Sequence, residues 1–107
     1  LETGAIPFCS CGGVYKPNVI LFGEQLPARV VLAAKKALRE SDLVLVIGSS
    51  LEVFPVADFP RQAKHQGAKV ALINLGPTYF DAEADLVIHA DVVETLPAVV
   101  AALKQTA

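Results

Sequence analysis

The stretch from residue 42 to 55, DLVLVIGSSLEVFP, constrains the fold more than any other part of the chain. It contains the continuous apolar run Leu43–Ile47, which is rich in β-branched residues and does not alternate with polar ones. A run this short is typical of a strand that is buried on both faces of a parallel sheet. We therefore predict an α/β fold that contains this strand.

Three small residues, Gly48, Ser49 and Ser50, follow the predicted strand. In open α/β sheets, ligands bind at the carboxyl ends of the strands. A glycine lets the backbone approach a ligand closely, and the two serines offer hydroxyl groups. This pattern predicts a nucleotide-like ligand over Gly48–Ser50. An ordinary turn between a strand and a helix has the same composition and remains an alternative.

The rest of the chain alternates short apolar runs with longer amphipathic segments. Helices are expected over about 28–40, 56–66 and from 92 or 93 to 104, strands over 43–47, 69–73 and 86–88, and a further strand or extended segment over 18–22. Pro27 fits the first position of the first helix, and Gly67 fits a helix end. This alternation predicts βαβ units and a parallel sheet with helices on both faces.

Right-handed crossovers place the carboxyl ends of parallel strands at one edge of a sheet. The loops expected to meet there are Gly48–Ser50, Asn74–Leu75 and Ala90–Val92. Asn74 is a candidate ligand for a ribose hydroxyl, and the backbone of Ala90–Val92 is placed to face a purine. Asp91 either binds a ribose hydroxyl or caps the last helix. A glycine-rich turn for pyrophosphate does not occur in the sequence, so these loops predict half of a dinucleotide site.

The two cysteines, Cys9 and Cys11, lie in the glycine-bearing segment CSCGG. Two thiolates at this spacing can bind one face of a tetrahedral zinc ion, whereas a structural zinc needs four ligands. The chain has no other cysteine, so we predict half of a zinc site, with two free thiols as the alternative. Because the sequence begins without Met and in the middle of a motif, we expect it to be a fragment of a longer protein.

Composition narrows the classes of molecule that the chain could bind. The net charge of −2 gives no electrostatic support for direct nucleic-acid binding. No apolar run approaches the roughly 20 residues that a membrane-spanning helix needs, so we expect no membrane partner. The first residues do not show the basic and then apolar pattern of a signal peptide, and we expect a cytoplasmic protein. The hydrophobic share of 53% is high, which indicates a covered sheet or a surface that binds a partner.

Three motifs in register make the sequence similar to one family, the sirtuins, which are NAD-dependent protein deacylases. The first is CSCGG at 9–13 followed by KPNVILFGEQLP at 16–27, which resembles the second zinc knuckle of sirtuins and the signature after it. The second is the stretch 42–55, and the third combines 70–74 with 84–86 and 91–93. The resemblance covers nearly the whole chain. It implies a partial zinc-binding module over 1–17 and the C-terminal half of a Rossmann-like NAD-binding domain over 18–107.

The resemblance also implies roles for single residues toward NAD and zinc. Gly48 and Ser50 correspond to contacts with the adenosine end of NAD, with Ser49 in place of the commoner threonine. Asn74, next to Leu75, corresponds to a ribose contact. The adenine pocket corresponds to Ala90, Asp91 and Val92. Cys9 and Cys11 correspond to two of the four ligands of a structural zinc, at a spacing shorter than the commoner one.

A second set of positions resembles the acyl-lysine channel of sirtuins. Its floor and strand correspond to Ile20, Phe22, Gly23 and Glu24, and Val53 corresponds to the residue that faces them across the substrate. The resemblance implies that an acylated peptide binds as an extra strand between the FGE stretch and the loop 51–53.

In sirtuins the acyl oxygen attacks the ribose carbon as nicotinamide leaves, and a histidine acts as the general base. The phosphate motif, the nicotinamide pocket, the catalytic histidine and the first cysteine pair all precede the second zinc knuckle. Neither His65 nor His89 corresponds to the catalytic histidine. We therefore expect no catalytic residue in this chain and no deacylase activity from it alone. We also expect an exposed apolar edge at or near Leu43–Ile47, through which the chain self-associates.

Two other classes of function remain open from the residues. One is a non-catalytic nucleotide-binding module, such as the central domain of thiamine-diphosphate enzymes, which has a similar strand, Gly-Ser and helix pattern. CSCGG and FGEQLP argue against it, because that domain has neither a zinc knuckle nor an acyl-lysine channel. The other is a pure interaction domain, and no residue pattern provides positive evidence for it.

Overall fold

The structure is a computed structural model that describes residues 4–106. Its elements are α1 (Ala28–Arg39), β1 (Leu43–Ile47), a 3-10 turn (Val56–Asp58) leading into α2 (Phe59–His65), β2 (Lys69–Ile73), β3 (Leu86–Ile88) and α3 (Val92–Thr106). The three strands form one parallel sheet in the order β1-β2-β3. The α/β class, the parallel sheet and the positions of these strands and helices confirm the prediction. No helix among residues 4–106 has the length and apolar character needed to cross a membrane.

The connections bring the strand ends to one edge of the sheet. Ile47 pairs with Ile73, and Ile73 pairs with Ile88, so all three strands end at the same level. The 3-10 turn and α2 cross from β1 to β2, and Gly67, at φ 97°, ends that crossover in the left-handed region where glycine is favoured. The loop 74–85, which contains no helix, crosses from β2 to β3.

The core lies on one face of the sheet. Val46, Val70 and Leu72 point to this face and pack with residues from the connections, among them Leu51, Ala57 and Phe80. Phe80 is 0% exposed although it lies in a loop. Burying an aromatic ring removes more apolar surface from water than burying most other side chains. The ring of Phe80 therefore anchors the loop 74–85 to the sheet.

The prediction that β1 is buried on both faces is wrong for the described chain. Leu43 and Leu45 are 57% and 52% exposed, and only Val46 in this strand is buried. The reason is position, because β1 is an edge strand and β2 is the central strand, with Val70, Ala71, Leu72 and Ile73 buried. The expected exposed apolar edge is therefore present at β1.

Residues 18–22 form a turn-containing segment without strand pairing among residues 4–106, so the strand alternative considered there is wrong. Hydrogen bonds between Leu21 and Glu24, described below, close this turn, and the segment therefore does not pair with a strand.

Pro27 is the N-cap of α1 and not its first residue, and its carbonyl accepts from the N–H groups of Val30 and Val31. The segment before α1 is almost entirely exposed, and the radius of gyration is 18.7 Å, against about 13 Å for a compact domain of this size.

Candidate functional site

A cavity of about 250 Å³ lies at the carboxyl edge of the sheet. All three loops predicted to meet at this edge contribute to its lining, which consists of Gly48, Ile73, Asn74, Leu75, Ala90, Asp91 and Val92. The structure thus brings together six of the eight residues predicted to contact a nucleotide, whereas Ser49 and Ser50 do not line the cavity. Ile73 was not predicted, because an apolar residue at a strand end carries no polar signal.

The segment after β1 has an unusual backbone that explains the position of the two serines. Gly48 has φ 60°, and its N–H donates to the carbonyl of Ile73 at 2.9 Å. Leu51 has φ 56°, a left-handed conformation that is uncommon for a branched residue and is found mainly where surrounding structure enforces it. The hydroxyl of Ser49 accepts from the Leu51 N–H at 3.2 Å, and the Leu51 side chain is buried in the core. Ser49 therefore supports the turn.

The Ser50 hydroxyl donates to the Glu52 carboxylate at 3.4 Å, so it too has a partner within its own loop. Across the cavity, the Asn74 amide donates to the carbonyl of Gly76 at 2.9 Å. Asp91 Oδ1 accepts from the Val93 N–H at 2.8 Å, which confirms the alternative that Asp91 caps the last helix. The cap also fixes the direction of the Asp91 carboxylate at the cavity wall.

A histidine–aspartate pair, His89 and Asp81, contacts the cavity-lining residue Asn74 and was not predicted. His89 Nε2 is 3.0 Å from Asp81 Oδ2, and His89 Nδ1 is 3.0 Å from the carbonyl oxygen of Asn74. Asp81 Oδ1 accepts from the hydroxyl and the N–H of Thr78. The Thr78 hydroxyl is the main cause that lowers the pKa of Asp81, and His89 lowers it further. In the sequence, the only indication of this pair was that a polar residue stands at each end of the segment 81–89.

A second cavity, of about 350 Å³, lies beside the segment 53–56. Most of its lining side chains are apolar, and it includes every residue that the family resemblance placed in an acyl-lysine channel. The lining residues are Ile20, Leu21, Phe22, Gly23, Glu24, Leu26, Val53, Phe54 and Val56. An apolar cavity open to solvent fits a short aliphatic or acyl chain better than a charged ligand.

Glu24 shapes the turn that forms this cavity. Its carboxylate accepts from the Leu21 N–H at 2.9 Å and pairs with Lys16 Nζ at 3.0 Å. The backbone bond from Leu21, followed by the bond from Lys16, lowers the pKa of Glu24. Gly23 takes φ 87° in the same turn, a conformation that favours glycine. The charge of Glu24 is therefore used to hold the turn closed.

The cysteine segment forms a knuckle. The Cys9 N–H donates to the Gly13 carbonyl at 2.7 Å, the Gly12 N–H donates to the Cys9 carbonyl at 2.9 Å, and Phe8 bridges Val14 in antiparallel fashion. The Cys11 N–H points at Cys9 Sγ at 3.4 Å. Hydrogen bonds from Cys11, first from its thiol and then from its amide, lower the pKa of Cys9 to about 7. A tight turn that favours thiolate fits one half of a zinc site. Within residues 4–106 no third metal-ligating side chain joins the pair.

Comparisons with known proteins agree with this geometry. The model of the Sir2 family matches residues 2–55. The chain is 51% identical over 81 residues to NAD-dependent protein deacetylase 1 of Geobacillus kaustophilus, covering 76% of this chain and 34% of that protein. It is 45% identical over 103 residues to the NAD-dependent protein deacetylase of Sulfurisphaera tokodaii, covering 96% of this chain and 40% of that protein. The chain thus spans about a third to two fifths of the length of these relatives.

Solved structures of Sir2 proteins share the fold. A structure of Sir2 bound to acetylated peptide superposes with a TM-score of 0.84 at 37% identity, over 92% of this chain and 42% of that one. A structure solved to explain the mechanism and regulation of Sir2 enzymes superposes with a TM-score of 0.88 at 40% identity, over 99% of this chain and 44% of that one.

Proposed function

The chain belongs to the Sir2 family, and we propose that the full-length gene product is an NAD-dependent protein lysine deacylase. It would transfer an acyl group from lysine to ADP-ribose and release nicotinamide. Family membership removes the thiamine-diphosphate alternative. The observation that carries the proposal is the arrangement of the two cavities, because a single segment, 48–56, contributes Gly48 to one and Val53 to the other.

The edge cavity is proposed to bind the adenosine end of NAD. Its partners would be the backbone at Gly48, the side chain of Asn74 toward a ribose hydroxyl, and the backbone of Ala90–Val92 toward adenine. Leu75 supplies an apolar wall. Ser49 supports this site by fixing the turn at Leu51, and Ser50 reaches the ligand only if its bond to Glu52 is exchanged.

The apolar cavity is proposed to bind the acyl-lysine of a protein or peptide substrate. Val53 faces the turn that carries Ile20, Phe22 and Gly23, and an extended peptide fits between these two segments as an added strand. Glu24 acts by keeping the turn in place. No catalytic residue is assigned within the chain, and we propose that the chain alone is inactive.

Cys9 and Cys11 are proposed to hold one side of a structural zinc ion, with two further ligands outside this chain. The metal would crosslink the knuckle and contribute to folding, without a part in the chemistry. The exposed backbone edge and apolar face of β1 support a further proposal, that the chain alone self-associates by pairing this edge with a second copy. A monodisperse monomer in light scattering would argue against self-association.

The activity is tested with the full-length gene product, an acetylated lysine peptide and NAD, with free peptide and nicotinamide measured by mass spectrometry. Both products should appear in equal amounts. Val53→Asp should raise the KM for the peptide at least tenfold, because a carboxylate at an apolar wall is poorly solvated. The dissociation constant of ADP-ribose should not change in this variant. Product formation without NAD, or unaltered peptide binding by Val53→Asp, would contradict the proposal.

A further inference from the structure

A third cavity, an open groove of about 610 Å³, lies beside the apolar cavity. The two cavities share Ile20 and Glu24 in their linings, so they are neighbours along one segment of the chain. The groove takes its lining from residues 16–25 alone, whereas the apolar cavity also uses residues 53–56. We call it the adjoining groove, and its lining residues are Lys16, Pro17, Asn18, Val19, Ile20, Glu24 and Gln25.

The adjoining groove differs from the apolar cavity in its chemistry. Lys16, Asn18 and Gln25 give it one ammonium and two amide groups. Glu24 supplies the only carboxylate of the lining, and each of its oxygens already accepts a hydrogen bond. Oε1 accepts from Lys16 Nζ at 3.0 Å, and Oε2 accepts from the Leu21 N–H at 2.9 Å. The groove therefore has more unused donors than unused acceptors, which favours a ligand that carries acceptors.

The ammonium of Lys16 has room for a second partner. It carries three N–H donors, of which one contacts Glu24. The Lys16 side chain is 74% exposed, so its other donors are accessible to a ligand in the groove. A ligand carboxylate that bonds to Lys16 lies nearer to the ammonium than to the carboxylate of Glu24. Attraction to the ammonium then exceeds repulsion by Glu24, and the bond is charge-assisted.

The geometry of an extended peptide determines which substrate residue reaches the groove. Successive side chains of a strand point to opposite sides, and side chains two positions apart point to the same side, about 7 Å from each other. With the acyl-lysine in the apolar cavity, the side chain two positions away points to the side on which the adjoining groove lies. The side chains directly before and after the acyl-lysine point away from it.

We propose that the adjoining groove is a subsite for the substrate residue two positions from the acyl-lysine, and that Lys16 gives this subsite a preference for an acidic side chain. This inference rests on the proposed function of the apolar cavity. Lys16 determines specificity and takes no part in the transfer of the acyl group. Because ion pairs between exposed groups contribute little, the preference is a factor of about three.

The test uses the full-length gene product, NAD and a set of acetylated lysine peptides. The peptides carry Asp, Asn or Lys at one of the positions −2, −1, +1 or +2 relative to the acetyl-lysine, and the KM of each peptide is measured. At position −2 or +2, the Asp peptide should have a KM about threefold lower than the Asn peptide. The same exchange at −1 and +1 should leave the KM unchanged, because these side chains point away from the groove.

Variants of Lys16 are read through the ratio of the KM values for two peptides. Lys16→Gln should bring the ratio of the Asn and Asp peptides to about one, and Lys16→Glu should give the Lys peptide the lower KM. Both variants remove the ion pair with Glu24, but a looser turn raises the KM of all peptides alike and leaves the ratio unchanged. Lys36→Glu is the matched control, because Lys36 is an exposed lysine that pairs with Glu40 and lines neither cavity. It should keep the wild-type ratio.

A wild type without preference at both −2 and +2 would overturn the subsite, as would a Lys16→Gln variant that keeps the wild-type ratio. A control that changes the ratio as much as Lys16→Gln would also overturn it, since the effect would then come from net charge. If Lys16→Glu does not fold, Lys16→Gln decides alone. If no peptide loses its acetyl group in the presence of NAD, the proposed function fails and the subsite with it. Deacetylation that does not depend on Lys16 refutes the subsite and leaves the proposed function intact.

Discussion

Shortening the side chain of Phe80 should destabilise the full-length gene product in steps that follow the number of atoms removed. Phe80 is 0% exposed and packs with Leu51, Ala57 and Leu72 on the core face of the sheet. Phe80→Ala leaves a cavity that the surrounding residues fill only in part, at a cost of about 3–5 kcal/mol in the free energy of unfolding. Phe80→Leu keeps about half of the apolar atoms and should cost about 2 kcal/mol.

The measurement is urea unfolding followed by far-ultraviolet circular dichroism, combined with amide hydrogen exchange of Val70 and Leu72 in β2. Since a domain is stable by only about 5–15 kcal/mol, Phe80→Leu is the more informative variant. Phe22→Ala is the matched control, because Phe22 is 91% exposed and its loss should change the free energy of unfolding by less than about 0.5 kcal/mol. A loss for Phe80→Leu no larger than that of the control would refute the conclusion that the loop 74–85 is anchored in the core.

Three further predictions concern charged groups and thiols. The Val70 N–H and then Lys64 lower the pKa of Asp85 to about 2, so its contribution to stability should be present above about pH 4 and disappear as pH falls through 2, and Asp85→Asn should lack this transition in an acid titration monitored by circular dichroism. With zinc removed, Cys9 should be alkylated by iodoacetamide with a half-maximal rate near pH 7, the value to which its pKa is lowered, and Cys9→Ser should remove that fast phase. Glu24→Gln should raise the KM for an acylated peptide by roughly threefold, because the amide oxygen is a weaker acceptor from the Leu21 N–H and the ion pair with Lys16 is lost, while an unchanged KM would show that the turn does not need the charge.

The sequence was sufficient to predict what depends on local pattern. The run Leu43–Ile47 identified a parallel strand, Gly67 marked the end of a crossover, and the three strand-end loops converged as expected because chirality fixes where parallel strands end. The predicted burial of β1 was wrong, because burial depends on whether a strand has a neighbour on each side. A run of apolar residues does not indicate whether that neighbour is present. The central place of β2 was equally invisible in its sequence.

Contacts between distant residues were not predictable. Phe80 lies in a polar loop with no periodicity, and its burial follows from the way the loop folds back onto the sheet. His89 and Asp81 meet only because that loop returns beside the end of β3. The family resemblance indicated Glu24 as a residue of the acyl-lysine channel, but only the structure shows that its carboxylate is bound by the Leu21 N–H and Lys16.

The segment between Gly48 and Val53 bears on how strongly the two proposed ligands change each other's affinity. It borders both cavities, and it is fixed in the middle by the buried side chain and left-handed backbone of Leu51. The two proposed sites are therefore connected through a stretch of only six residues. By thermodynamic linkage, the factor by which an acylated peptide changes the affinity for the nucleotide must equal the factor by which the nucleotide changes the affinity for the peptide. Leu51 lines neither cavity, so a substitution there would change such a factor without removing a contact to either ligand.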